Sequence, residues 1–288
     1  MKRSPAWYDA QYNNRANIPE HPEILRHWTD ASERARRNTP GTLLDLRYGD
    51  GPGEGVDVFG VQPAGTDAPV LVWIHGGYWR ALSKSDHSFV APPFVTAGAV
   101  VVVPDYALAP AVTIEHIVLQ TARAVAWTWR QARSFGANPG RIVVGGHSAG
   151  AHLAAMMLAC RWPEVASDLP PDLVRTALSL SGVFDLEPLR HAPFLAADLG
   201  LDAASARRLS PACMPAPAAP RRLLAWVGDS ETPEFHRQNH LIRRRWGARA
   251  VPVCEAVPGC HHMTILHTIA DPGSRTHRLA CQALSLPA

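Results

Sequence analysis

Ser148 stands in Gly146-His147-Ser148-Ala149-Gly150, where an apolar, strand-like run beginning at Val143 gives way to an alanine-rich, helix-like run through Ala155. G-x-S-x-G between a strand and a helix is a nucleophile elbow, a sharp turn that holds a serine hydroxyl out at a sheet edge for attack on an acyl carbon. Such a turn strains the serine backbone and brings strand and helix together, so a Cβ at 146 or 150 would collide with its neighbours. The start of the helix also sets the Ala149 N–H and the positive end of the helix dipole beside any oxyanion formed during attack.

A serine hydroxyl is a weak nucleophile until a base takes its proton, and an elbow of this kind calls for an acid and then a histidine downstream. The strand-like RLLAWV, 222–227, runs into Gly228-Asp229-Ser230-Glu231-Thr232, which offers Asp229 and Glu231 at the carboxyl end of a strand. The last strand-like run leads into Pro258-Gly259-Cys260-His261-His262-Met263, which offers His261 and His262. Upstream, His75-Gly76-Gly77-Tyr78-Trp79 follows an apolar strand and suits an oxyanion loop, with Gly77 and Ala149 as N–H donors and Gly76 as a third. His75, His147 and His152 belong to these motifs as loop-orienting or packing residues. No H-E-x-x-H and no clustered Cys/His spacing occurs, so neither a metal nor another cofactor is expected.

These groups lie far apart in the chain, and an alternation of strands and helices must bring them together. Strand-like segments are 43–49, 56–61, 69–77, 99–106, 141–145, 175–180, 222–227 and 251–257, with an amphipathic helix over 114–135 and Asn138-Pro139-Gly140 as a break before the fifth strand. That rhythm predicts an α/β fold, a mostly parallel central sheet of about eight strands covered by helices on both faces. Residues 1–40, polar but carrying Trp7, Tyr8, Tyr12 and Trp28, read as a helical arm packed on the body, and 185–220, ending in PACMPAPAAP, as a small cap or a long surface connection. A single domain over 1–288 is expected.

Composition narrows the partners. The chain has 288 residues, 47% hydrophobic and 18% charged, with a formal net charge of +3. Lysine occurs only at 2 and 84, and Arg243-Arg244-Arg245 reads as a solvated helix face with no nucleic-acid motif nearby, so no nucleic-acid partner is expected. Five cysteines without C-x-x-C spacing, and a first segment without an apolar core, point to a cytoplasmic protein. The apolar runs fall short of the roughly 20 residues that span a bilayer, so no membrane association is expected.

Several segments together resemble the arylformamidase (kynurenine formamidase) family of the α/β-hydrolase fold, close to the hormone-sensitive-lipase-like esterases. They are Tyr12-Asn13-Asn14-Arg15-Ala16, HGGYW at 75–79, GHSAGAHLAAMM at 146–157, SGVFDLEPL at 181–189, Leu209-Ser210-Pro211, and TPEFHRQ at 232–238. HGG and G-x-S-x-G are shared with many esterases, whereas the HGGYW extension, GHSAGAHL, SGVFDLEP and PEFHRQ are more specific to formamidases. The resemblance implies Ser148 as nucleophile, His262 as base and Glu231 as acid, although family members often carry Asp at that position. It also implies hydrolysis of N-formyl-L-kynurenine, with a carboxylesterase for short-chain or aryl esters and a non-catalytic binding protein as rivals. Such a substrate couples a tiny acyl group to a large aromatic leaving group, and Tyr78, Trp79 and Phe184 are the expected pocket walls. The expected partner is a small aryl formamide or ester, with a homodimer left open.

Overall fold

The computed structural model describes residues 3–287. Eight strands, β1 (Leu43–Arg47), β2 (Gly55–Phe59), β3 (Ala68–Ile74), β4 (Val100–Pro104), β5 (Ala137–His147), β6 (Thr176–Leu180), β7 (Arg222–Gly228) and β8 (Val253–Val257), make one sheet. Their order is β1-β2-β4-β3-β5-β6-β7-β8, antiparallel at the β1-β2 and β2-β4 pairs and parallel from β4 onward. All five residues of β4, all seven of β3 and all five of β6 are buried, as strands covered on both faces must be.

Thirteen α-helices accompany them among the described residues. The first three, α1 (Pro5–Tyr12), α2 (Asn14–Asn17) and α3 (His21–Asn38), precede the sheet, and α4 (Lys84–His87) and α5 (Ala91–Thr96) lie between β3 and β4. Then come α6 (Ile114–Gln131), α7 (Ala149–Ala159), α8 (Trp162–Val165), α9 (Pro193–Leu199), α10 (Ala203–Arg208), α11 (Pro233–Ala250), α12 (Ile265–Ala270) and α13 (Arg275–Ala283). The period of two in a strand divides the apolar side chains between two cores. Val70, Val72 and Ile74 face the layer that holds residues of α6, α7 and α11, while Leu71 and Trp73 face the layer that holds residues of α3, α5, α12 and α13.

Three segments differ from the sequence pattern. Asn138-Pro139-Gly140 does not stop the chain before β5: Ala137 already pairs with Ala68, and the irregularity is absorbed by a register shift before Val70 pairs with Ile142. The real stop lies earlier, at Gly136, whose φ of 70° ends a 3₁₀ turn and whose missing Cβ would fall 2.5 Å from the Gln62 carbonyl oxygen. Helices α4 and α5 were not evident in sequence because four and six residues are too few to display a helical period.

The arm is tied to the body by polar contacts as well as by packing. Helix α3 turns Ile24, Trp28, Ser32 and Ala35 inward at helical spacing, and the Trp28 indole N–H donates to His267 Nε2 at 2.9 Å. Tyr12, fully buried, donates its hydroxyl hydrogen to Glu234 Oε2 at 2.7 Å, and the Thr232 hydroxyl donates to the Gln11 carbonyl at 2.7 Å. The arm is thereby joined to the first turn of α11, directly after Glu231.

Candidate active site

Strand β5 delivers Ser148 into a conformation that a non-glycine residue rarely adopts, φ 56° and ψ −116°. The Ser148 N–H donates to the Leu180 carbonyl at 2.8 Å, which ties the elbow to the end of β6. The flanking glycines are required by contact: a Cβ on Gly150 would stand 2.1 Å from the Ile74 carbonyl oxygen, and one on Gly146 would stand 2.4 Å from the Gly150 backbone. Ser148 itself is almost wholly enclosed and opens on a cavity of about 370 Å³.

The loop after β3 packs against the elbow. A Cβ on Gly76 would lie 2.8 Å from the His147 carbonyl oxygen and 3.4 Å from the Ser148 Cβ, so only glycine admits this approach. Gly77 has φ 102°, and Tyr78 and Trp79 follow at φ 52° and 57°, a run of left-handed residues that turns the chain sharply. Among the described residues, neither the Gly77 N–H nor the Ala149 N–H meets an acceptor. The loop is braced from below by Tyr106, which stacks on His75 at 4.1 Å and donates to the His75 carbonyl at 3.0 Å.

At the carboxyl ends of β7 and β8, Glu231 and His262 form a buried pair, with His262 Nδ1 donating to Glu231 Oε2 at 2.7 Å. The other carboxylate oxygen accepts from the Gly228 N–H at 2.7 Å and from the Ser181 hydroxyl at 2.5 Å. The His262 imidazole lies between the Phe235 ring at 4.4 Å and the His147 ring at 4.8 Å. His147 Nε2 donates to the His262 carbonyl at 2.7 Å, and burial, followed by the neighbouring His262, holds the His147 pKa well below the ordinary imidazole range. His147 is therefore neutral, with its hydrogen on Nε2.

The two remaining candidates of those loops face elsewhere. Asp229 is exposed, bonded by the Ser230 hydroxyl at 3.0 Å, and its pKa is lowered chiefly by the backbone N–H of Gly259. His261 reaches Glu20 of the arm at 3.3 Å, and its Nδ1 accepts from the Met263 N–H at 3.2 Å.

Ser148, His262, Gly77 and Tyr78 all line the cavity, but two expected walls do not. Trp79 is fully buried and packs edge-on against His152 at 5.0 Å. Phe184 is fully buried in the core, its N–H donating to Gln238 Oε1 at 2.8 Å. The aromatic walls besides Tyr78 are Trp28 and Phe194, the latter edge-on to Tyr78 at 5.8 Å.

A family profile described as α/β hydrolase fold matches residues 71–264, from β3 to the segment that holds His262. Over 276 residues the chain is 31% identical to the kynurenine formamidase of Danio rerio, covering 94% of this chain and 90% of that one. The chain belongs to the kynurenine formamidase family. The Salmo salar kynurenine formamidase is 30% identical, covering 93% of this chain and 89% of that one. A crystal structure of a Silicibacter sp. TM1040 protein, provisionally designated a thioesterase, superposes with a TM-score of 0.81 at 31% identity, covering 93% and 96% of the two chains. As a member of this hydrolase family, the chain is an enzyme acting on small molecules.

Within the formamidase family pattern, three site contributions escaped the sequence reading. Asn13, Asn14, Arg15, Leu25 and Trp28 bring the arm into the cavity wall, although composition marks that arm only as polar. Ser181 opens SGVFDLEPL immediately after a parallel strand, the position from which site residues project, and that placement was a usable signal. Gly228 precedes the two carboxylates, and a Cβ there would stand 2.3 Å from the Cys260 carbonyl oxygen, closing the space in which the β7 and β8 loops meet. Among the described residues, no group of three or more His, Cys, Asp or Glu is placed to hold a metal ion, and no helix is long and apolar enough to cross a membrane.

Proposed function

We propose that this enzyme hydrolyses N-formyl-L-kynurenine to L-kynurenine and formate, with Ser148, His262 and Glu231 as the catalytic triad. The observation that carries the reading is the buried Glu231–His262 pair, 2.7 Å across, whose imidazole opens on the same cavity as Ser148. A carboxylate on Nδ1–H leaves Nε2 as the proton acceptor, the tautomer that a serine nucleophile requires.

In the first half-reaction Ser148 Oγ bonds to the formyl carbon as its proton passes to His262 Nε2. The resulting oxyanion is held by the N–H groups of Gly77 and Ala149, with Gly76 keeping the loop close to the elbow. Collapse breaks the C–N bond, His262 protonates the departing arylamine, and Ser148 carries a formyl ester. In the second half-reaction His262 takes a proton from water, the hydroxyl adds to the same carbon, and formate leaves as the proton returns to Ser148. The formyl group needs little room, which suits a serine enclosed by the elbow and the glycine loop, and the arylamine occupies the wider space beside Tyr78 and Phe194.

The chain is proposed to act as one domain, with the arm over 1–40 completing the wall and 185–220 as a cap, a reading supported by the positions of Asn14 and Phe194 at the cavity. Five thiols without a disulfide among the described residues suit action in a reducing cytoplasm. The test is kcat/KM for N-formyl-L-kynurenine against p-nitrophenyl acetate, with Ser148→Ala as control. Faster formamide turnover that is lost in the variant is the expected result. Brisk ester turnover beside negligible formamide turnover would replace the reading with a carboxylesterase, and inertness to both would replace it with a binding protein.

A further inference from the structure

The segment Tyr12-Asn13-Asn14-Arg15 accounts for itself residue by residue except at its end. Tyr12 anchors the arm on Glu234 and accepts, through its carbonyl, the Tyr78 hydroxyl hydrogen at 2.6 Å. Asn13 caps α2 by accepting from the Ala16 N–H, and Asn14, itself buried, donates to the Tyr78 hydroxyl at 3.4 Å. Arg15 lines the same cavity but is exposed and makes neither an ion pair nor a hydrogen bond with any other described residue. Three residues thus fix the backbone and the tyrosine wall, and the fourth presents a guanidinium with nothing in the protein to meet it.

Lining the same cavity, Arg80 pairs with Asp198, and its guanidinium carbon lies 5.6 Å from the centre of the Phe194 ring. Arg80 engages only Asp198 Oδ2, so Oδ1 keeps its acceptor capacity. Among the described residues that line it, the cavity therefore has one unpaired arginine and one available carboxylate oxygen, together with the rings of Tyr78 and Phe194 and the nucleophile candidate Ser148.

We propose that this part of the cavity is an amino-acid headgroup site, in which Arg15 binds the substrate's α-carboxylate and Asp198, steadied by Arg80, receives its α-ammonium. The inference rests on the formamidase reading and adds the feature that selects a zwitterionic aryl formamide over a plain one. An arginine fork matches a carboxylate in geometry as well as charge. Asp198, which lines the same cavity, supplies the complementary charge, so the two ends of an α-amino acid are recognised separately.

The test compares N-formyl-L-kynurenine with 2-formamidoacetophenone, the same aryl formamide ketone without its amino-acid end, in the wild-type chain, Arg15→Gln, Arg15→Lys and Asp198→Asn. Arg15→Gln is expected to lower kcat/KM for the amino-acid substrate about 5- to 30-fold, mostly through KM, the range for losing a charged hydrogen bond in a partly exposed site. The headless formamide should change less than about twofold, Arg15→Lys should recover part of the loss, and Asp198→Asn should be selective in the same direction. Equal losses on both substrates would make Arg15 a structural residue and overturn the proposal. A wild-type enzyme that hydrolyses both formamides equally well, with Arg15→Gln neutral on each, would overturn the headgroup site while leaving the formamidase reading in place. Ester turnover without turnover of either formamide would remove both.

Discussion

Glu231→Gln tests the triad at its most constrained point, because its environment dictates how an amide would sit. In the native pair one carboxylate oxygen accepts from the Gly228 N–H at 2.7 Å and the Ser181 hydroxyl at 2.5 Å, and the other accepts from His262 Nδ1 at 2.7 Å. A glutamine that keeps its oxygen on the Gly228 N–H must point its NH₂ at His262, which forces the hydrogen onto Nε2 and removes the acceptor that Ser148 needs. The flipped amide restores the useful tautomer but sets its NH₂ against the Gly228 N–H, a buried donor left without an acceptor, at about 1–3 kcal/mol. It also replaces a charged acceptor for the imidazolium with a neutral one, at about 1.5–3 kcal/mol more. By that flipped route the barrier rises by about 2.5–6 kcal/mol, or about 70- to 10⁴-fold in kcat/KM. The assay is appearance of the kynurenine chromophore on N-formyl-L-kynurenine, with thermal unfolding as a check that the variant is folded, and with Asp229→Asn as a control expected to stay within about twofold because Asp229 is an exposed side chain. A folded Glu231→Gln enzyme within tenfold of wild type would refute the assignment of Glu231 as the orienting acid.

Two further predictions follow from neighbouring residues. Ser181→Ala removes one of the two donors to the fixed oxygen of Glu231, and the expected effect is a loss of about 10- to 150-fold in kcat with KM little changed, the cost of one hydrogen bond to a charged group at about 1.5–3 kcal/mol; an unchanged kcat would show that Gly228 alone holds the carboxylate. The buried histidines predict acid sensitivity: burial lowers the folded-state pKa of His152 to about 4, and those of His147 and His87 also fall well below the ordinary range. The unfolded chain, with imidazoles near about 6.5, then binds more protons than the folded one, so stability falls as pH drops from about 6.5 toward 4, with His152 alone accounting for about 3 kcal/mol. His152→Gln, which keeps a donor for the Leu209 carbonyl, should flatten the fall of Tm with pH over that interval, and an identical slope in the variant would contradict the burial argument.

What the sequence disclosed and what it concealed follow from the range of the interactions involved. The elbow and the glycine loop are local: Gly150 abuts Ile74, Gly76 abuts His147, and each motif states its steric requirement within a few residues, so the backbone positions of Ser148, Gly77 and Ala149 could be read directly. Choosing Glu231 over Asp229 depends instead on a side chain 50 residues upstream, because Ser181 donates to the carboxylate that turns inward. Asp229 and Glu231 stand two residues apart in the turn after β7, and no local rule says which of them meets the imidazole. The pocket walls failed for the same reason in reverse. Trp79 and Phe184 lie in motifs rich in glycine and aromatic residues, yet Trp79 is packed on His152 and Phe184 lies in the core beneath the Gln238 amide. The walls that replace them come from Trp28 and Phe194, in segments read only as a polar arm and an irregular connection. TPEFHRQ shows why a segment specific to a family need not touch its substrate: Glu234 holds Tyr12, and Gln238 accepts from the Phe184 and Asp185 N–H groups at 2.8 and 2.9 Å while donating to the Tyr12 hydroxyl at 3.1 Å. That helix fastens the arm and the segment after β6 to one another. It thereby fixes Arg15 relative to Ser148, while Phe235 of the same segment packs on the His262 imidazole, so one helix positions both the arm and the base.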